Sequence, residues 1–263
     1  MQKRKDNENV DLYEAVNVAK NIAKKAGKLL NDYFKKDFSV YEKGERDIVT
    51  EADEKVENFI KNEIKSYYSE HSILAEESGM ENKKSKYIWI IDPLDGTTNF
   101  THHIPFFNIS IALKEHEKTL LGVVYNPLLD ELFYAYEDKA FLNEKIIRPR
   151  ENNELKKALI GCCHSNDKKA IRRFLSLLKM LKPKVRDVRK FGSGALEICY
   201  VACGRLDAFI SFDAKVWDIE AGLLIAKNSG CNVIENLNDE QGNVFVSSPS
   251  MFDKLTTLIK KIK

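Results

Sequence analysis

Two stretches near the start of the chain have apolar residues at helical spacing. In residues 11–35 the apolar side chains recur three or four positions apart, which predicts one amphipathic helix with an inward stripe of Leu12, Ala15, Ala19, Ile22, Ala26, Leu29 and Tyr33. A second helix is predicted after Thr50, where Thr50 and Asp53 match a capping box. Its inward stripe is predicted to be Val56, Phe59, Ile60, Ile64 and Tyr67.

Short apolar runs then replace the helical spacing and predict strands. Residues 72–75 and 87–91 are runs of this kind, and each stops at acidic residues. Three further β-rich segments, 106–114, 119–125 and 131–136, are joined by short polar turns. That arrangement is typical of an antiparallel meander.

Strands and helices alternate beyond a polar segment at residues 148–155. The expected strands are 158–163, 185–188, 207–212, 231–235 and 243–247, and the expected helices are 167–181, 194–203 and 218–228. A last helix begins at Pro249, with Ser248 as N-cap and an inward face of Phe252, Leu255, Leu258 and Ile262. The pattern predicts an α/β (α+β) chain with two sheet systems, divided into an N-terminal half, 1–147, and a C-terminal half, 148–263.

Composition excludes several classes of protein. Of the 263 residues 43% are hydrophobic and 31% charged, with only 12 Gly and 6 Pro, so the chain is neither disordered nor collagen-like. Lys and Arg total 42 against 40 Asp and Glu, and this balance does not favour a nucleic-acid partner. No apolar run approaches the roughly 18 residues of a membrane span, and the polar N-terminus is unlike a secretory signal. We therefore expect a cytoplasmic protein whose five cysteines are small buried thiols.

The most informative stretch is a strand that ends in two carboxylates three positions apart. Residues 87–100 read YIWIIDPLDGTTNF. Gly96 permits a turn, and the residues after it can open a helix, whose N-terminal N–H groups are a natural seat for phosphate. Two carboxylates beside a phosphate repel it unless cations lie between them, so the stretch predicts a divalent metal, with Mg²⁺ preferred. The alternative is that Asp92 and Asp95 are only turn and N-cap residues. This alternative is favoured for either aspartate considered alone, but not for the complete string.

Three other acidic positions lie at comparable points of the predicted elements. Glu76 and Glu77 end the 72–75 strand, Asp218 begins a helix, and Asp53 lies in the first turn of another. Taken singly, each is more simply interpreted as a solvated loop pair, an N-cap or a capping-box acid. The pattern by itself leaves those alternatives open.

Taken in their order along the chain, these segments resemble a known family. The likeness is carried by Lys43-Gly44-(x2)-Asp47-(x2)-Thr50-(x2)-Asp53, Ala75-Glu76-Glu77-Ser78-Gly79, the string WIIDPLDGTTNF at residues 89–100, and Trp217-Asp218-(x2)-Ala221-Gly222. Together they resemble the inositol monophosphatase family of Mg²⁺-dependent, lithium-sensitive sugar phosphatases. The resemblance implies a layered αβαβα fold, a homodimer, and a phosphomonoesterase that hydrolyses a small sugar or inositol phosphate with a metal-activated water.

The resemblance also implies roles for individual residues. Two to three Mg²⁺ ions would be held by Glu76, Asp92, the backbone carbonyl of Leu94, Asp95 and Asp218. Asp92 would be shared between the first two metals, and Glu76 would also face the third. Asp53 and Thr97 would orient the attacking water, with Glu76 as a further catalytic residue. Lys43 would lie near the site.

The same resemblance places the substrate, a small-molecule phosphate ester. The residues expected to bind it are Asp95, Gly96, Thr97, Thr98, Gly192, Ser193, Gly194, Ser211 and Asp218. Inositol-preferring members commonly have a glutamate where this chain has Ser211, and that departure weakens the inositol assignment. Fructose-1,6-bisphosphate, 3′-phosphoadenosine-5′-phosphate and histidinol phosphate stay open as substrates. Arg186, Arg189 and Lys190 are either ligands for a second phosphate or surface charges.

Other chemistries fit the sequence less well. A haloacid-dehalogenase-type phosphatase has its two acids two positions apart, whereas Asp92 and Asp95 are three apart. A nucleophilic pair of His164 with Cys162 or Cys163 is a weaker alternative than a polar strand end. A regulatory or binding protein with the same fold and no catalysis is the alternative of another class, although no expected ligand is missing from the sequence.

Overall fold

A computed structural model describes residues 9–36, 39–44, 47–237 and 240–260, with the side chains of residues 42–49 outside that description. The helices of these residues are α1 (Leu12–Phe34), α2 (Glu51–Tyr67), α3 (Thr97–Thr101), α4 (Lys168–Leu181), α5 (Gly194–Ala202), α6 (Val216–Ser229) and α7 (Pro249–Ile259), with a short 3₁₀ turn at Leu155–Lys157. The strands are β1 (Val40–Gly44), β2 (Asp47–Thr50), β3 (Ser72–Ala75), β4 (Gly79–Glu81), β5 (Tyr87–Asp95), β6 (Asn108–Glu115), β7 (Lys118–Asn126), β8 (Glu131–Tyr136), β9 (Lys139–Leu142), β10 (Lys145–Ile146), β11 (Leu159–His164), β12 (Asp187–Arg189), β13 (Ala208–Phe212), β14 (Asn232–Ile234) and β15 (Val244–Ser247).

Most of the strands belong to two sheets. The larger sheet has eight strands in the order β10-β9-β8-β7-β6-β5-β3-β4, and the smaller has five in the order β12-β11-β13-β15-β14. From β5 to β10 every pairing is antiparallel, so the predicted meander is confirmed. By contrast, β3 pairs with β5 in parallel, and β11 pairs in parallel with both β12 and β13.

Three hydrophobic clusters arrange these elements in layers. In the first cluster α1 and α2 pack on one face of the larger sheet. In the second α5 and α6 lie between the two sheets, and in the third α4 and α7 cover the outer face of the smaller sheet. The layers follow the order helix, sheet, helix, sheet, helix, and the predicted αβαβα fold is confirmed.

Strand β5 contributes to two layers at once. Trp89 and Ile91 are buried against the α1–α2 layer, whereas Ile90 between them is buried in the cluster around α5 and α6. Because successive side chains of a strand point to opposite faces, a strand covered on both faces needs a continuous apolar run. Full burial of an apolar side chain contributes roughly 1.5–3 kcal/mol. The strand that carries Asp92 and Asp95 is therefore anchored on both faces.

Strand β7 and helix α6 approach each other closely at Gly122. A Cβ at this position would lie 2.7 Å from the carbonyl oxygen of Ala221 and 2.9 Å from its Cα. Any side chain would push the helix away from the sheet. Glycine here thus allows α6, which carries Asp218, to pack deeply on the larger sheet.

The first two helices form largely as predicted. The capping box at Thr50 and Asp53 is present in full. The prediction that Tyr67 faces inward is wrong, because this side chain is 40% exposed. The helix ends at Tyr67, and the next residue, Tyr68, turns inward and stacks on His71 beside Trp89.

Some helices and strands after residue 148 begin at other residues than predicted. Strand β12 begins at Asp187 rather than at residue 185, because the backbone N–H groups of Arg186 and Asp187 both donate to the carbonyl of Ala158. Helix α6 begins at Val216, two residues before the predicted start. Ser248 is the N-cap residue of α7, but its side chain caps no backbone N–H.

The inward face of α7 differs from the prediction. Met251, Leu255 and Ile259 are fully buried, while Phe252 and Leu258 are only partly buried, and Ile262 lies outside the described residues. The division of the chain at residue 148 stays a prediction. None of the described helices is both long enough and apolar enough to cross a bilayer.

Candidate active site

Four acidic side chains from separate parts of the sequence meet at one cleft. Glu76, Asp92, Asp95 and Asp218 all line a cavity of about 480 Å³. The parallel pairing of β3 with β5 ends at Ala75 and Ile91, and the N–H of Glu76 donates to the carbonyl of Ile91 at 3.2 Å. The ends of the two strands are thereby held side by side, and their acids face the same space.

Asp92 is the most deeply placed of these acids. Its side chain is buried, and its Oδ1 accepts a hydrogen bond from the N–H of Leu94 at 2.9 Å. Burial raises the pKa of Asp92 well above the usual range, and the neighbouring charges of Glu76, Asp95 and Asp218 raise it further. A negative charge at this position is therefore costly unless a cation lies beside it.

Asp95 accepts four hydrogen bonds. Asn108 Nδ2 donates at 2.8 Å, Ser193 Oγ at 2.9 Å, and the backbone N–H groups of Gly194 and Ala195 at 3.2 and 2.9 Å. Burial raises the pKa of Asp95, and these donors oppose the shift. Because Gly194 and Ala195 begin α5, this acid from the larger sheet caps a helix that lies between the two sheets.

Asp218 is the third residue of α6, and its carboxylate reaches back to the N-terminal end of that helix. Its Oδ2 accepts from the backbone N–H of Lys215 at 2.9 Å. Burial, with the charge of Asp95, raises the pKa of Asp218 to about 7, against the lowering effect of that hydrogen bond. Asp218 thus caps the start of α6 and lines the cleft at the same time.

Asp53 and Thr97 lie together beside the acids. Thr97 Oγ1 is 3.4 Å from Asp53 Oδ1 and 3.1 Å from the carbonyl oxygen of Leu94. The other carboxylate oxygen of Asp53 accepts from the backbone N–H of Thr50 at 2.8 Å as part of the capping box. The capping interaction holds Asp53 still, so that its Oδ1 faces Thr97.

The turn after Asp95 brings three further predicted residues to the cleft. Gly96 has φ 101°, a left-handed conformation that favours glycine, and it starts the five-residue helix α3. Gly96, Thr97 and Thr98 all line the cavity. The first N–H groups of a helix have no partner within the helix, which suits an anionic ligand.

The acidic side of the cleft fits a divalent metal by donor type and charge. Hard cations such as Mg²⁺ prefer carboxylate and carbonyl oxygens, and this side offers four carboxyl groups and the Leu94 carbonyl. Bound cations would also remove the cost of charge at Asp92. No three His, Cys, Asp or Glu side chains of the described residues form a ready-made coordination shell. The fit therefore rests on donor chemistry and burial.

The opposite side of the cleft has a different character. It is lined by polar and charged side chains of the smaller sheet and its loops, which are His164, Ser165, Asn166, Lys190, Ser211, Asp213 and Lys215. His164 Nδ1 lies 2.6 Å from the carbonyl oxygen of Ser165, and its Nε2 lies 3.1 Å from Lys190 Nζ. Burial and the charge of Lys190 lower the pKa of His164, against the opposite effect of the contact with the Ser165 carbonyl.

Ser211 and Asp213 follow one another along that side. Ser211 is buried on β13, with its strand partner Cys163 beside it on β11. Asp213 is partly exposed, has φ 58°, and accepts a hydrogen bond from Ser165 Oγ at 2.6 Å. A carboxylate is thus present two residues beyond the serine that departs from the family pattern.

Some of the predicted residues do not line the cleft. Arg186 and Arg189 are exposed and lie outside the set of lining residues, and the guanidinium of Arg189 pairs with Asp187. Lys190, the third of these basic residues, does line it. Ser193 is fully buried behind the cleft and donates to Asp95. The side chain of Lys43 lies outside the described residues.

The Cys–His alternative has no support in the contacts of either cysteine. Cys162 Sγ donates to the carbonyl of Arg189 and Cys163 Sγ to Glu197 Oε1, both at 3.1 Å, while His164 bonds elsewhere. Burial and Glu197 raise the pKa of the Cys163 thiol well above its usual range, which disfavours the nucleophilic thiolate.

Sequence reasoning missed several residues that hold the site together. Glu57 on α2 accepts the N–H groups of Glu77 and Ser78, directly after Glu76. Asn99 Nδ2 donates to the carbonyls of Phe106 and Phe191, both at 2.7 Å. The sequence contains a signal for Glu57. It is a charged residue four positions after Asp53, next to the stripe of α2 that is predicted to be buried.

A larger cavity of about 650 Å³ lies elsewhere, around Arg148, Glu151, Asn228 and Pro249. None of the four clustered acids lines it. The chemistry of the lining, rather than the size, identifies the smaller cavity as the candidate active site.

The chain is similar to proteins of one known family over most of its length. The model of the inositol monophosphatase family matches residues 11–259. Inositol monophosphatase 3 of Solanum lycopersicum is 39% identical over 254 residues, which cover 94% of this chain and 91% of that protein. A fructose-1,6-bisphosphatase/inositol-1-monophosphatase of Aquifex aeolicus is 36% identical over 225 residues, 84% of this chain and 85% of the relative. The crystal structure of the extragenic suppressor protein suhB from Bartonella henselae has a TM-score of 0.89 at 34% identity, covering 94% of this chain and 99% of that one.

Proposed function

The chain belongs to the inositol monophosphatase family and is a phosphatase, and from that premise we propose that it hydrolyses a small sugar or cyclitol phosphate monoester with two to three Mg²⁺ ions. The acidic side of the cleft binds the metals and the phosphate. The opposite, polar side binds the alcohol part of the substrate.

The observation that carries the proposal is the convergence of acids with a water-orienting pair. Asp92, Asp95 and Asp218 lie together, and Thr97 and Asp53 adjoin them through the Leu94 carbonyl. Four acidic groups in one cleft are destabilising unless they bind cations. Cation binding would relieve this repulsion and is therefore part of the proposed function.

The residues of the chain perform distinct tasks in the proposed reaction. The N–H groups that follow Asp95 bind the phosphoryl oxygens, and Thr97 Oγ1 with Asp53 Oδ1 orients the attacking water. Asp53 Oδ1 accepts the proton of that water as its oxygen forms a bond to phosphorus. The bond between phosphorus and the alcohol oxygen breaks on the opposite side, and the alcohol oxygen leaves with the bonding electron pair and takes up a proton from solvent water. Glu76, Asp92, the Leu94 carbonyl, Asp95 and Asp218 would hold the divalent cations, which when bound supply Lewis-acid polarisation and offset the negative charge of the phosphate.

The test is phosphate release from myo-inositol 1-phosphate at saturating Mg²⁺, compared with the same protein in excess EDTA. We expect turnover with Mg²⁺ and none above background with EDTA. No turnover on any phosphate ester at any Mg²⁺ concentration would favour a binding protein without catalysis.

A second candidate substrate is fructose-1,6-bisphosphate. The observation that favours it is the presence of two lysines, Lys190 and Lys215, among the residues that line the cleft. Ammonium groups there can pair with a second phosphate, although Lys215 also lies 3.7 Å from Asp213. The relative from Aquifex aeolicus carries both activities in its name. Comparing kcat/KM for the two esters in one assay decides between them.

The homodimer and the cytoplasmic location stay predictions. Light scattering of the purified protein at assay concentration tests the first. A molar mass near that of one 30.2 kDa chain would contradict it.

A further inference from the structure

Glu197 is the only charged residue in the nine-residue helix α5, and it is fully buried. Its Oε1 accepts hydrogen bonds from the backbone N–H groups of Phe191 at 3.2 Å and Gly192 at 3.1 Å, and from Cys163 Sγ at 3.1 Å. It is not among the residues that line the cleft. A buried carboxyl group is thus committed to two adjacent N–H groups of one turn.

That turn is held from a second direction. Asn99, in the phosphate-side helix α3, donates to the carbonyl of Phe191 at 2.7 Å. Gly192 has φ 83°, and a Cβ there would lie 3.3 Å from Asn99 Nδ2. With its N–H groups bound by Glu197 and its carbonyl by Asn99, the turn from Phe191 to Gly192 has one orientation.

The turn carries part of the polar side of the cleft. Lys190, Phe191, Gly192 and Gly194 all line the cavity. A shift of the turn would therefore move these groups relative to a bound substrate. Asp92 and Thr97 would be less affected, because neither depends on Glu197 for a hydrogen bond.

The surroundings of Glu197 leave its carboxyl group little freedom. Its Oε2 is buried without a hydrogen-bond partner among the described residues, and a Cβ at Gly161 would lie only 2.6 Å from it. Burial, together with the charge of Asp95, raises the pKa of Glu197 to about 8 against the donors on Oε1. Glutamine has the same side-chain length and keeps an oxygen acceptor, so it is the conservative replacement at this position.

We propose that Glu197 is a positioning residue that sets the affinity of the enzyme for the alcohol part of its substrate, by fixing the turn of Phe191 and Gly192 against the cleft. The proposal rests on the proposed function, because it requires that a phosphate ester binds there. Glu197 touches no substrate atom and acts through the backbone of the turn.

The experiment compares four variants with the wild-type protein at saturating Mg²⁺. E197A removes the acceptor, E197D withdraws it by one methylene, and E197Q keeps it. D207N is the matched control. Asp207 is also a buried acid, and it accepts from the N–H of Leu159 and from Asn152 Nδ2, at 2.8 and 2.9 Å, away from the cleft. Each protein is assayed on myo-inositol 1-phosphate, on fructose-1,6-bisphosphate and on ethyl phosphate, whose alcohol is too small to reach the turn.

We expect E197A and E197D to raise KM for the better polyol ester about tenfold, the effect of losing one to two hydrogen bonds, with a smaller change in kcat. The KM for ethyl phosphate should stay within about twofold, and E197Q should restore the wild-type KM for the polyol ester. D207N should lower the melting temperature and leave the ratio of the two KM values unchanged.

Three results would overturn the proposal. One is an equal loss of activity on the polyol ester and on ethyl phosphate in both E197A and E197D. Another is an E197Q variant as impaired as E197A, and the third is a D207N variant with the same KM split. If E197A does not fold, E197D and E197Q carry the test. Absence of turnover by the wild-type protein is a separate outcome, which would count against the proposed function instead.

Discussion

The two sides of the cleft are built in opposite ways. On the acidic side, Asp92 is buried and Asp95 accepts four hydrogen bonds, so each group has one position. On the polar side, Lys190 and Lys215 are exposed, and Asp213 is only partly covered. Buried side chains that are fully hydrogen-bonded are held rigidly, whereas exposed charged side chains keep most of their rotamer freedom.

The difference separates the chemistry from the choice of substrate. Rigid, costly charges are useful where a reaction must be stabilised in one geometry. Mobile polar groups at a surface can be exchanged without disturbing the core. Changes on the acidic side should therefore abolish turnover, and changes on the polar side should alter KM between substrates.

The largest effect is expected for D92N. Loss of this charge should lower kcat/KM for phosphate release by about a thousandfold or more, as for other charge-stabilising groups of an active site. The free energy of unfolding in EDTA should rise, because a buried charge with a raised pKa is replaced by a neutral amide. Steady-state assays and thermal denaturation measure the two effects.

The control for D92N is D32N, a change on the exposed face of α1. It should alter neither quantity. If D92N lost activity and stability together, the acidic side would be part of the structural core and not a site that gives up stability for function.

A smaller effect, confined to the other side of the cleft, is expected for K190A. Removing one ammonium group that pairs with a second phosphate should raise KM for fructose-1,6-bisphosphate about tenfold and leave kcat nearly unchanged. The KM for myo-inositol 1-phosphate should change much less. K184A, which removes an exposed lysine outside the cleft, is the control. Equal changes in KM for both substrates would show that Lys190 does not bind a second phosphate.

Comparison with E197Q separates the contribution of Glu197 to the pH dependence of stability from that of the acids of the cluster, whose pKa values are also raised. The folded-state pKa of Glu197 is about 8 and lies above the usual value of 4.5, so the folded protein holds a proton that the unfolded chain releases. This contribution is fully present below about pH 4.5 and is lost as the pH rises through 8. At saturating Mg²⁺ the melting temperature of the wild-type protein should therefore fall relative to that of E197Q between pH 5 and 9. Parallel curves for the two proteins would contradict the raised pKa.

The smallest effect is expected for S211A. Ser211 is buried, and Asp213 presents a carboxylate to the same side of the cleft. We expect KM for myo-inositol 1-phosphate to change less than about threefold, as for one water-mediated or absent hydrogen bond. A tenfold rise in this KM would mean that Ser211 contacts the substrate directly. The polar side of the cleft would then also contain a buried, fixed group that binds the substrate.

Much of the fold could be predicted because local signals agreed with it. The capping box of Thr50 and Asp53 and the helical spacing before residue 35 gave α1 and α2 nearly to the residue. Tyr67 was misplaced because helical periodicity says nothing about where the last turn gives way, and Tyr68 takes the inward position. The shift of β12 has a similar cause, since the carbonyl of Ala158 binds two N–H groups from a distant segment.

The acids of the site could be predicted, and the residues that hold them could not. Asp92 and Asp95 stand out because they end an apolar strand directly before a glycine turn and the start of a helix. Arg186 and Arg189 look equally suited to a phosphate in the sequence, but both are exposed outside the cleft and only Lys190 reaches it. Which of three neighbouring basic residues faces a cleft depends on the direction of a short strand and its turn. That direction is fixed by contacts with Glu197 and Asn99, distant in sequence from one another.

The four hydrogen bonds of Asp95 make two backbone amides into natural reporters of the site. The N–H groups of Gly194 and Ala195 can exchange with deuterium only when they leave this carboxylate. A ligand that weakens or strengthens the hydrogen bonds of Asp95 changes the rate of this exchange. The rate can be measured without a spectroscopic label and without a substrate. Isotope uptake in a peptide that spans these two residues would therefore report cation binding at the far end of β5 from within the neighbouring helix.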